Sequence, residues 1–81
     1  METTRQKFDR FMKLAAGFAT ELGKKNGDFF KAQMGLQALD EEVTRFRLFE
    51  NKNSEMLFEF EELEILIGEM NFIAISKTSI V

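Results

Sequence analysis

Along the first half of the chain, apolar residues recur at alternating steps of three and four: Phe8, Phe11, Ala15, Phe18 and Leu22, then Phe29, Ala32, Leu36, Leu39, Val43 and Phe46. Lys25 is the misfit in a register otherwise held throughout. Such a seam belongs to helices that bury one side. Thr3 is a suitable N-cap, and Gln6 three residues later completes a capping-box pattern, so a first helix is expected over about residues 4–25. Its polar face would carry Arg5, Lys7, Arg10, Lys13 and Lys24. Asn26 or Gly27 is expected to stop it in the left-handed conformation, and Asp28 to cap a second helix over about residues 28–41. The stripe crosses Asn26-Gly27 in phase, which also fits one continuous helix; the turn chemistry favours an antiparallel hairpin.

Beyond Glu42 the period changes. Thr44, Phe46 and Leu48 alternate with Arg45 and Arg47, Asn51-Lys52-Asn53-Ser54 is a turn cluster, and Met56, Phe58 and Phe60 alternate with Leu57 and Glu59. Alternation predicts a β-hairpin of strands over about 43–49 and 54–60. Residues 63–67 suit a strand, favoured by Ile65 and Ile67, or a short helix through Leu63, Leu66, Ile67 and Met70. A last strand is expected over about 72–80. The predicted fold class is α+β: an N-terminal helical hairpin packed on a small antiparallel β-sheet of three to four strands. Residues 1–81 form a single domain in this reading, without repeats, low-complexity tracts or linkers.

At 81 residues the chain can bury only about 60–65% of its unfolded surface, and no cysteine is present to staple it. Self-association is the remaining support, with a dimer favoured. Ten phenylalanines reinforce this expectation, because ten would crowd one small core. Phe8, Phe11, Phe18, Leu22, Phe29, Leu36 and Leu39 are therefore the candidate oligomer or partner interface. No apolar run approaches the roughly 18 residues of a membrane span, and residues 1–7 do not resemble a secretory signal, so a cytoplasmic protein is expected.

Chemistry narrows the picture further. With no Cys or His there is no thiol nucleophile, no imidazole base and no structural zinc site, so the chain is expected to be non-catalytic, without cofactor or metal. Gly23-Lys24-Lys25-Asn26-Gly27 lacks Walker spacing and reads as a turn. Charge is uneven: residues 1–40 hold seven Lys/Arg against five Asp/Glu, residues 41–81 four against nine. The run Glu55 to Glu69 holds six glutamates and no base. Glu59, Glu61, Glu62 and Glu64 are the candidate contact surface for a basic partner, either as an ordinary binding face or as a nucleic-acid mimic. The same acids could instead protect an exposed strand edge from pairing, or form the one carboxylate cluster open to acid-base or metal chemistry. The basic first helix could lie on an anionic membrane or on phosphates, but Glu2, Asp9 and Glu21 interrupt it and no Tyr or Trp offers stacking, which disfavours direct nucleic-acid binding. Ser79-Ile80-Val81 fits the short pattern by which PDZ domains add a terminal strand. The expected function is protein–protein interaction by a small regulatory or inhibitory protein of phage type, self-associating and binding another protein.

Overall fold

The computed structural model of the chain describes residues 1–79, and among them there is no strand. Three helices, α1 (Thr4–Leu22), α2 (Phe29–Arg45) and α3 (Leu57–Ser79), are joined by a short turn and by a wider connection that begins with one π-helical turn, Phe46–Glu50. The fold is all-α, and the expected α+β arrangement is corrected.

α1 starts as the sequence predicts. The Gln6 amide donates to Thr3 Oγ1 (3.1 Å) and the Thr3 amide to Gln6 Oε1 (2.9 Å), closing a capping box. Its end differs: the helix stops at Leu22, and no glycine, nor Asn26, has positive φ. Gly27 is needed for another reason. A Cβ there would lie 2.3 Å from the carbonyl oxygen of Glu21, so only glycine lets the turn close onto the last helical turn of α1. The Glu21 carboxylate accepts the Asp28 amide (2.7 Å) and pairs with Lys24 (3.0 Å). Asp28 then caps α2 by accepting the Lys31 amide at 3.0 Å. The two helices are a hairpin.

α2 continues through the segment expected as the first strand, 43–49. Ala32, Leu36, Leu39, Val43 and Phe46 are all buried, so the three-and-four rhythm persists past Glu42. The alternation of Thr44, Phe46 and Leu48 has a different cause: Phe46 points inward, Leu48 is exposed, and Thr44 Oγ1 donates to Glu64 of α3 at 2.9 Å. The Asn51 amide reaches back to the Phe46 carbonyl (2.9 Å), the wide bond of a π turn. Asn51, itself buried, donates through Nδ2 to the Glu55 carbonyl (2.7 Å) and accepts the Glu55 amide on Oδ1, folding the connection onto α3.

α3 replaces the strands expected over 54–60, of which 54–56 belong to the connection before it, and over 63–67 and 72–80, of which residue 80 lies outside the described residues. Phe60, Leu63, Ile67, Met70 and Ala74 are buried at steps of three and four. α2 runs antiparallel to each of the other two helices, which also pack on one another. Phe46 meets Phe11 of α1 and Phe60 of α3 (centroids 6.2 and 5.3 Å), and at the far end Thr78 donates to Gln33 (3.1 Å). Phe8 and Phe11 also touch Phe60, at 5.4 and 6.5 Å, so four phenylalanines close one end of the bundle. The molecule is a rod of 45 × 17 × 17 Å.

Candidate functional site

The seven residues expected at an interface are engaged within the chain. Phe11, Leu22, Leu36 and Leu39 are buried in the core, and Phe8, Phe18 and Phe29 are partly buried against it. Phe18 crosses α2 at Gly35, where a Cβ would come within 2.3 Å of its ring. Most of their surface is thus spent on the chain's own core, and the largest exposed apolar groups are elsewhere.

Several of those groups are on α3. At about 100° per residue, Phe58, Ile65 and Phe72 fall within roughly 40° of one another and on the side of the helix opposite Phe60, Ile67 and Ala74. They are 68%, 62% and 71% exposed, whereas Phe60, Ile67 and Ala74 are 0%. Leu66 and Ile73, also exposed, widen this stripe toward α1. There a groove of about 500 Å³ runs between α1 and α3, floored by Phe8 and Leu63 and edged by Met12, Leu66, Glu59, Glu62 and Glu69. Of the ten phenylalanines, Phe30, Phe49, Phe58 and Phe72 are exposed, and two of these four lie in one line on α3.

The four glutamates expected to form one acidic surface do not point together. Glu59 and Glu62 face the groove, Glu61 flanks the stripe on its other side, and Glu64 turns toward α2. Glu64 is taken up internally: it accepts from Thr44 Oγ1 and from Arg47, forming a partly buried ion pair. Its charge is also felt by Asp40, whose carboxyl is held above its ordinary value by partial burial and by the carboxylates of Glu64 and Glu41. Glu59, Glu61, Glu62 and Glu69 have no ion-pair partner among the described residues. Glu69 belongs with this set although the sequence reading did not single it out. Neither did that reading single out Phe58, Ile65, Phe72, Leu66, Ile73 and Met12; the signal available was the repeat of seven at 58, 65 and 72.

Among the described residues no group of three or more His, Cys, Asp or Glu is placed to hold a metal ion, and no helix is long and apolar enough to cross a membrane. Ile80 and Val81, on which a PDZ-type terminus would depend, lie outside the described residues. What this geometry defines is a three-helix domain with one helix face left open, its line of Phe58, Ile65 and Phe72 divided from Leu66 and Ile73 by Glu62 and Glu69. No protein-family model matches the chain, and no similar curated protein or solved structure is found.

Proposed function

We propose that this domain is a non-catalytic protein-interaction module that docks a further helix of a partner protein along the outer face of α3. The observation that carries the reading is the line of Phe58, Ile65 and Phe72, more than half exposed at heptad spacing on the side of the helix away from its own core. A soluble helix of a small bundle keeps such positions polar, and an exposed apolar row repeating every seven residues gives another helix a line to lie against, with Glu61, Glu62, Gly68 and Glu69 at the positions between. A small regulatory or inhibitory role is the reading that such a binding face supports. A cysteine-free chain fits action in the reducing cytoplasm. The nucleic-acid mimic draws less support, because Glu59, Glu61, Glu62 and Glu64 point to different sides of α3 instead of forming one row of charge.

Position-specific photo-crosslinking in native cells tests the docking face. A photoreactive residue introduced at 58, 65 or 72 should give one discrete protein adduct, and the same residue at the exposed Thr20 of α1 should give none. Adducts equally strong at all four positions, or at none, would overturn the reading.

A further inference from the structure

We infer that the occupant of the α3 face is a basic amphipathic helix of another protein, lying lengthwise with its apolar stripe on Phe58, Ile65 and Phe72 and its lysines or arginines against Glu59, Glu62 and Glu69. This rests on the docking reading above and adds the chemistry of the partner.

Charge selects this occupant. α3 carries one base, Lys77, whose ammonium sits 4.9 Å over the Phe29 ring and is turned away from the stripe. On the flank that meets α2 the fold supplies Arg47 to neutralise Glu64, while on the open flank no described residue pairs with Glu59, Glu62 or Glu69. A helix settling into the stripe would cover those carboxylates in part, and uncompensated charge at the edge of an apolar contact is costly. A partner with lysine or arginine beside its apolar stripe removes that penalty and gains attraction.

A second copy of this chain fits less well. Two α3 helices crossing antiparallel about Ile65 would match Phe58 with Phe72, but would also set Glu62 of one copy against Glu69 of the other, twice over by symmetry. A parallel pair brings Glu69 of each copy beside Glu64 of the other. The outward surface of α1 offers Lys13, but its neighbours there are Ala16, Gly17 and Thr20, which present no large apolar group to the stripe. Length is set as well: fourteen residues from Phe58 to Phe72 span about 21 Å, so the partner needs roughly 15 helical residues or more.

Two synthetic helical peptides of about 18 residues, identical at their leucine-lined apolar positions and flanked by lysine in one and glutamate in the other, provide the test by fluorescence anisotropy at low salt. The lysine peptide should bind one to one and roughly tenfold more tightly than the glutamate peptide, a ratio that shrinks as salt is raised. The double variant Glu62→Gln, Glu69→Gln should abolish most of the preference, and Ile65→Ser with Phe72→Ser should weaken both peptides. All four positions are exposed, so these variants keep the core intact, which circular dichroism verifies. If both peptides bind wild type equally, docking on α3 stands and a basic partner is refuted. Binding of neither peptide refutes both the docking face and its occupant. Unchanged lysine-peptide binding to the Ile65→Ser, Phe72→Ser protein shows charge attraction away from the stripe and refutes the inference. A doubled mass of the free protein that these serines return to monomer assigns the face to a second copy and refutes it too.

Discussion

Phe58 and Phe60 are two residues apart, and the effect of truncating each distinguishes a helix from a strand. On a strand they would share one face and suffer alike; in α3 they lie about 160° apart. Phe60 has no exposed surface and its ring sits 5.4, 6.5 and 5.3 Å from those of Phe8, Phe11 and Phe46. Truncating such a residue costs about 3–5 kcal/mol, and the edge contacts with three other rings put Phe60→Ala at the upper end. A domain of this length has roughly 4–12 kcal/mol of total stability. Phe60→Ala should therefore lower the urea midpoint by several molar, or leave the chain without a folded baseline, at a slope near 1 kcal/mol per molar. Phe58, 68% exposed, loses little within the monomer, and the better helix propensity of alanine offsets part of that, so Phe58→Ala should stay within about 0.5 kcal/mol of wild type. The assay is urea unfolding followed by circular dichroism. Equal losses for the two variants, or a loss above about 2 kcal/mol for Phe58→Ala, would refute both the helical register of α3 and the open face built on it.

Two further changes test the packing and the electrostatics. Gly35→Ala should destabilise the protein although alanine gains about 1 kcal/mol over glycine in a helix, because its Cβ would lie 2.3 Å from the Phe18 ring; in a Phe18→Ala background the same change should stabilise, and thermal unfolding that shows one sign in both backgrounds would disprove that contact. Asp40 binds its proton more tightly in the folded state, so its contribution to stability falls as pH rises from its ordinary value of 3.8 through its raised one; Asp40→Asn should gain over wild type between pH 3 and pH 6 in urea unfolding, and a constant difference across that range would disprove it.

The first two helices were legible because each keeps a polar face, so the period of 3.6 stands out over Phe11, Ala15 and Leu22 and again over Leu36, Leu39 and Val43. The third was hidden by having two apolar faces. The core row Phe60, Ile67, Ala74 and the outer row Phe58, Ile65, Phe72 each repeat every seven residues, but they are offset by two, and locally that offset is indistinguishable from the alternation of a strand. β-branched Ile65 and Ile67 strengthen the impression, and burial of Phe60, Leu63, Ile67 and Met70 along one helical side overrides that preference. The candidate site inherited the same ambiguity. Glu59 and Glu62 could be named from the acidic run, but which glutamates stand together depends on the period: a strand separates Glu59 from Glu62, whereas a helix places them nearly one turn apart with Glu69 beyond and sends Glu64 to Arg47.

The rod shape of the domain, 45 Å long and 17 Å across, makes the geometry of any assembly readable from scattering alone. A helix laid along α3 thickens the rod and leaves its length almost unchanged, so the cross-sectional radius grows while the maximum dimension holds. Contact at the tips, through the exposed Phe49 near one end or Phe30 near the other, would do the reverse, lengthening the particle at constant girth. Small-angle X-ray profiles of the free and bound forms thus separate lengthwise from end-on association before any atomic structure of a complex exists.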